Sequence, residues 1–406
     1  MAPAASPAPG DLPLDRQPDP LAGPWKVGPV RLDPFVKIEQ FGWDSNVFLS
    51  DRGKEQSDLM MRLSAGIRGQ MLFGSRGSLS FEEKPDYVAF AHTSSQSYAN
   101  NRLSGRADLV AGRLSLATGG QWNTSRDWAS SEFDERSRTT TRTAFAGLAW
   151  RTHSRTSVTV TTGRLWLGVS DSDQPDIGAL LDRTEARLAE RFSWRAAPRT
   201  TLFTEHSSLR IAFDDTPGRD SRVQSWTAGA RLEGRGAVTG SVQLGPARLT
   251  SDDPRWSGDN ALLGEADVAV RAGETWLLLA GGRRALLFAV FENNLFYRED
   301  RLNASARKAL TPRLALEAGA EWTWLRWPGR DESPLVTGSG TIPACAASGL
   351  PCSELRQDRI VSRFVGVRFK VARRSELTAR LSLRRRTSNL PGEDDEQVVF
   401  TTGAGF

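Results

Sequence analysis

The residues with most chemistry to offer are arginines and carboxylates that recur at even spacings. Arg62 and Arg68, Arg106 and Asp108, Glu185, Arg187, Arg191 and Arg195 keep that spacing, as do Glu317 with Glu321 and Arg380 with Arg384. Arg231, Arg307, Glu265 and Asp267 extend the set. Side chains alternate across a strand, so each group shares one strand face. Guanidinium rows facing a common aqueous space attract and select anions. The same arginines, interleaved with carboxylates, brace a wall through ion pairs. The sequence leaves both uses open.

Other chemistry is thinner. His206-Ser207-Ser208 lies near Asp214 and Asp215, which together hold the residue types of a Ser–His–Asp hydrolase. On a strand His206 and Ser207 face opposite sides, so only His206 and Ser208 share a face. Neither a nucleophile elbow nor a Gly-rich phosphate loop is present. The three histidines, His92, His153 and His206, are scattered and give no metal-ligand cluster. Asp44, Asp51, Asp252, Asp253 and Asp259 lack the regular ligand spacing of a calcium loop and read as solvated charge. We expect neither an enzyme nor a cofactor. Cys345 and Cys352 are the only cysteines, and in an oxidising exterior two close cysteines pair, so a disulfide is expected.

The elements that position these groups are long alternating strands. Met61, Leu63, Ala65, Ile67, Met71 and Phe73 fall on every second position, with Arg62, Ser64, Gly66, Arg68 and Gln70 between them. That run suits a tilted strand crossing a bilayer, which needs roughly 9–11 residues. Gly74-Ser75-Arg76-Gly77 follows with turn chemistry, and Leu79 and Phe81 resume the alternation. No apolar run approaches a membrane helix. Mean hydropathy is −0.41, which is compatible with barrel strands that are apolar at half their positions. There are 13 Trp and 3 Tyr, and interfacial aromatic girdles are one use for them. Trp122, Trp166, Trp194, Trp226, Trp276, Trp322 and Trp324 fall within or near the ends of such strands.

About 18 segments of this kind recur, from 35–42, 58–73 and 78–92 through 376–388 and 396–406. Tight connections, such as Ala111-Gly112-Arg113 and Ala197-Pro198-Arg199, alternate with long polar ones, such as Asp44 to Gln56 and Ser170 to Ala179. The pattern predicts an all-β fold: a closed up-and-down transmembrane β-barrel of about 18 antiparallel strands, with short periplasmic turns and long external loops. A Greek-key sandwich does not sort its loops this way. Alternation is less clean around Thr139, Leu279 and Arg363, which a bulge, a register break or a wrongly placed boundary would each explain.

Two regions divide the chain. Residues 1–30 hold eight prolines and few large apolar side chains, so they are expected to form a disordered periplasmic arm. Residues 31–406 are the expected barrel, its largest loop at 327–356. Met1-Ala2-Pro3-Ala4-Ala5 lacks the basic and apolar parts of a secretory leader, so an exported chain is expected to be a processed form. Net charge is +5, but the arginines are spread through the strands and form no block, so no nucleic-acid partner is expected.

The final strand places Val398, Phe400, Thr402, Ala404 and Phe406 on one face. It resembles the last strand of bacterial outer-membrane proteins, and the resemblance implies that Phe406 is read by the barrel-assembly machinery. Near the start, Phe41-Gly42-Trp43-Asp44-Ser45-Asn46-Val47-Phe48 precedes Ser57-Asp58-Leu59. This is similar to the aromatic-x-Asp-x-Asn-hydrophobic-Phe element, followed by Ser-Asp, of outer-membrane proteins from exopolysaccharide loci, the beta-barrel porin 2 group. Phe291-Glu292-Asn293-Asn294-Leu295-Phe296-Tyr297 and Thr311-Pro312-Arg313-Leu314 are similar too. The resemblance implies an outer-membrane pore that passes a polysaccharide outward with a periplasmic polysaccharide export protein, and the arginines make an anionic polysaccharide the expected cargo. A general or solute-selective porin is the alternative. The Pro-rich arm and the two-cysteine loop lie outside the resemblance.

Overall fold

A computed structural model describes residues 25–50, 53–128, 136–170, 180–234, 236–253, 258–289, 295–327, 335–337, 340–342, 356–372, 375–389 and 394–405. One antiparallel sheet of 19 strands dominates. The short β1 (Trp25–Val27) pairs only with β2, so eighteen long strands make the wall. In chain order these are β2 (Val30–Asp44), β3 (Asp58–Phe73), β4 (Gly77–Phe90), β5 (Tyr98–Ala111), β6 (Leu114–Trp128) and β7 (Arg136–Arg151). Then come β8 (Thr156–Ser170), β9 (Arg183–Ala197), β10 (Thr200–Phe213), β11 (Ser221–Leu232), β12 (Val238–Ser251) and β13 (Asp259–Ala272). The circuit ends with β14 (Trp276–Phe288), β15 (Phe296–Ala309), β16 (Leu314–Trp327), β19 (Arg356–Lys370), β20 (Glu376–Ser388) and β21 (Asp395–Gly405). A small hairpin, β17 (Leu335–Thr337) with β18 (Gly340–Ile342), interrupts the longest connection.

Each long strand pairs with its neighbour in sequence around the wall, and β21 pairs with β2. Closure removes the sheet edges that would otherwise expose unpaired backbone groups to hydrocarbon. Connections such as 112–113 and 198–199 lie at one end, and 45–57, 171–182 and 328–355 at the other. The second end is the external one in a barrel of this kind.

Alternation decides which face meets which medium. Leu63, Phe81, Leu188 and Trp226 are exposed on the outer wall, where an isolated chain leaves bare what lipid covers. The Trp residues singled out from the sequence all share that outward parity, as does Trp150.

Two differences from the sequence reading have physical causes. The sheet starts at Trp25, five residues before the expected end of the arm at residue 30, through a hairpin that turns at Gly28 with φ +58°. Pro29 and Pro34 hide its alternation, because proline argues against a strand interior. Around Thr139, Leu279 and Arg363 the registers run unbroken, so neither a bulge nor a register break explains the uneven alternation. The breaks in pattern arise instead from outward arginines, Arg142 and Arg363, and from inward leucines, Leu277 and Leu279. The register shifts lie between Ile38 and Phe41 and at Thr200/Thr201.

Candidate functional site: an arginine-bearing lumen beneath an apolar collar

Strand parity puts Arg62, Arg68, Arg106, Asp108, Glu185, Arg187, Arg191, Arg195, Arg231, Glu317, Glu321, Arg380 and Arg384 on the lumen side of the wall. Many of them meet a charged partner. Arg62 holds Asp86 at 3.0 Å, and Arg68 bridges Glu82 at 2.9 Å and Asp33 at 3.4 Å. Arg106 forks onto Asp108 at 2.7 Å. Glu185 pairs with Arg183 at 2.8 Å, Arg231 approaches Glu233 at 3.7 Å, and Arg384 contacts Asp395. Elsewhere one carboxylate serves several cations. Arg187 and Arg191 share Glu205, at 3.4 and 2.7 Å. Arg307, Arg368 and Arg380 converge on Glu317, at 3.3, 3.7 and 3.2 Å. Positive charge therefore outweighs negative charge in these clusters.

A second feature of the lumen is periodic and is not apparent from the arginines alone. Phe35, Phe145, Phe203 and Phe364 point inward and are the register partners of Gly66, Gly119, Gly229 and Gly319 on the adjacent strands. A Cβ built at Gly229 or Gly319 would lie 2.4 or 2.6 Å from the facing ring, so each glycine is a socket that only hydrogen fits. A guanidinium also approaches each ring. Arg68, Arg106, Arg191 and Arg380 stand 4.5, 5.9, 4.5 and 3.9 Å from the respective centroids. Cation–π attraction adds to burial there. The sequence signal is an isolated Phe in a polar register position opposite a Gly.

Above this belt the external mouth has an apolar lining. Val88 and Phe90 pack with Val47 from the β2–β3 connection. Leu249 packs with Leu295 and Phe296, and Tyr297 and Leu325 with Trp327 and Ala289. Arg219, buried in the β10–β11 connection, donates to the carbonyls of Leu180 (2.8 Å) and Ala289 and covers the Phe213 ring at 4.6 Å. Three connections are thus tied together over the lumen. Asp182 lies at the edge of this group. Burial pushes its carboxyl up, the nearby Asp214 and Asp215 add to that, and an N–H donated by Val169 (2.7 Å) opposes it.

The Trp43–Phe48 motif sits at the seam where the barrel closes. Asp44 accepts from the backbone N–H of Asn46 (2.9 Å) and from Gln397 on β21 (2.8 Å). The Asn46 amide donates to the carbonyls of Ser50 (2.9 Å) and Glu396 (3.1 Å). The motif locks β2 to β21 and turns the following loop inward, which inserts Val47 into the collar. Asp58 in the Ser-Asp element accepts from the N–H groups of His92 (3.0 Å) and Thr93 (2.7 Å), fixing the β4–β5 connection.

His206 does not assemble a hydrolytic site. It faces outward beside Glu190 at 3.8 Å, with the Trp226 ring at 4.4 Å, while Ser207 faces inward and bonds Ser225 at 2.8 Å. Among the described residues no group of His, Cys, Asp and Glu is placed to hold a metal. Cys345, Cys352, Phe406 and Asp51 lie outside the described residues.

Residues 25–405, nearly the whole length, match one sequence family. The chain belongs to the putative beta-barrel porin 2 family. It is accordingly a bacterial outer-membrane protein, and the family and fold are those of a channel rather than an enzyme. Among solved structures it is similar to Pseudomonas aeruginosa OccK2 (OpdF), at 11% identity and TM-score 0.50, covering 92% of this chain and 98% of that one. It is also similar to Pseudomonas aeruginosa OccK3 (OpdO), at 12% identity and TM-score 0.50, covering 92% and 95%. At such identities the likeness establishes the barrel fold alone. No curated protein matches the chain.

Proposed function

We propose that this beta-barrel porin 2 protein is a solute-selective pore whose lumen favours hydrophilic anions. The observation that carries this reading is the sharing of carboxylates: three guanidinium groups on Glu317 and two on Glu205. A barrel of this strand number leaves an aqueous channel, and rings of cationic side chains favour anions within it. The apolar collar supports selection by narrowing the entrance to that charged section. Planar-bilayer recording under a steep KCl gradient tests the proposal. The reversal potential should lie toward that of chloride, and R187Q/R191Q should move it back toward zero. A wild-type reversal at the potassium potential would overturn the proposal.

Export of a polysaccharide, with a periplasmic export protein as partner, is a second reading. The seam motif favours it through the resemblance to proteins of exopolysaccharide loci. The four lumen rings offer it less support, because a guanidinium already stands near each of them. Deleting the gene should abolish surface polysaccharide on this reading, and unaltered export would remove it.

A further inference from the structure

The outer wall carries a second set of arginines that the lumen does not use. Arg142 on β7 is the register partner of Trp122 on one side and Trp166 on the other. Arg164 on β8 covers the Trp166 ring at 5.2 Å. Arg210 and Arg222 face each other across β10 and β11, and Arg248 on β12 stands opposite Gln224. Arg359 on β19 is the partner of Trp324. All six are exposed and share the parity of the lipid-facing leucines and tryptophans. Among the described residues none of them forms an ion pair.

Their height is consistent from strand to strand. Arg142 is eight positions from Trp150, and Arg210 eight from Leu202, both lower residues exposed on the outer wall. With a rise of about 3.4 Å per residue and a tilt of about 40°, eight positions climb roughly 20 Å. The apolar band of such barrels is about 25 Å tall. These guanidinium groups therefore lie at its external rim, where a long side chain extends its charge into the headgroup layer. Below the strand midpoints the outward face of the eighteen wall strands carries one basic residue, Lys308, over Trp276 at 5.2 Å. General anchoring by amphipathic side chains would populate both rims. The upper halves of β2 to β5 carry no outward arginine or lysine, and five of the six arginines lie on β7 to β12, so those five belong to one side of the wall and Arg359 on β19 stands apart from them.

We infer that this external arginine belt binds the phosphates of a glycolipid in the outer leaflet. Guanidinium groups pair with phosphate oxygens through two parallel N–H donors. A row of them with interleaved indoles matches a bulky headgroup carrying more than one phosphate above several acyl chains. The Arg210–Arg222 pair is the strongest indication. Two cations placed directly opposite on adjacent strands repel unless an anion lies between them.

Native mass spectrometry of the folded full chain in a zwitterionic detergent tests the inference, with bis-phosphorylated lipid A as the probe. Wild type should retain lipid A and bind its dephosphorylated form at least tenfold more weakly. R210Q/R222Q/R248Q should weaken lipid A binding at least tenfold, while the lumen variant R187Q stays within twofold of wild type. Equal binding of the two lipids by wild type would overturn the inference, and so would an unchanged affinity in the triple variant. If the triple variant does not show the heat-modifiable mobility of a folded barrel, the two-lipid comparison on wild type decides. Channel selectivity is not part of the readout, so this result stands apart from the proposed pore function.

Discussion

Arginine serves two faces of one wall under different physical rules. Inside, Arg62, Arg187, Arg191 and Arg380 are held by carboxylates at 2.7–3.4 Å, and several also cover a phenylalanine. Outside, Arg142, Arg210 and Arg248 have no ion pair among the described residues and stand among aromatic and apolar side chains, whereas Arg284, on the same outward parity, is held by Asp300. A half-buried cation in a narrow lumen loses much of its hydration and needs a fixed counter-charge. A cation at the membrane rim can take its counter-charge from lipid. The contrast shows that the net positive charge of this chain, +5 overall, is not a single lumen field.

The sharpest way to break the comparison is at the most enclosed lumen cluster. Arg356 and Asp358 are fully buried and 3.1 Å apart, and Arg386 reaches the same carboxylate at 2.5 Å. D358A removes the carboxylate that two buried cations share. The expected loss is about 3–5 kcal/mol, read as the denaturant midpoint of tryptophan fluorescence in detergent. Replacing all three with apolar residues of similar size, R356M/D358L/R386M, should recover most of that loss. A D358A barrel as stable as wild type would show that these arginines reach solvent as the outer ones do.

The next effect belongs to the ring sockets. G319A puts a methyl 2.6 Å from Phe364 and 2.8 Å from the Ala304 carbonyl. Overpacking of this kind costs about 1–3 kcal/mol. Pairing it with F364L should relieve most of the cost, and failure to do so would mean that the backbone contact rather than the ring sets the requirement. Selectivity gives a smaller change. E205Q leaves Arg187 and Arg191 without their shared charge, and the reversal potential in a KCl gradient should shift further toward chloride. A shift toward potassium would contradict the assignment of a net positive wall.

The barrel was legible in the sequence because its alternation has one meaning on every strand. The segments 58–73 and 376–388 coincide with β3 and β20, and which side chains share a strand face followed from counting by twos. What was not legible depends on context that alternation does not encode. Leu249 and Leu325 face inward at the mouth because connections from elsewhere in the chain pack onto them. Arg142 and Arg363 face outward where a simple rule expects grease, so their segments looked irregular rather than informative. The Asp44–Asn46 motif was visible as a resemblance, but its work at the β2–β21 seam needs hydrogen bonds that span some 350 positions, such as Asn46 to Glu396.

The smallest expected effect sharpens the outer half of the comparison. R142Q removes a charge that has no ion-pair partner among the described residues, and Trp122 and Trp166 remain to anchor the rim. In detergent free of phosphorylated lipid its stability should stay within about 0.5 kcal/mol of wild type, as for surface substitutions away from special features. A lumen counterpart, R191Q, should lose more, because it strips both the Glu205 pair at 2.7 Å and the cover over Phe203. The same denaturant titration on both variants measures the difference. Equal losses would mean that the outer guanidinium has a structural partner within the protein and that the two faces do not follow separate rules.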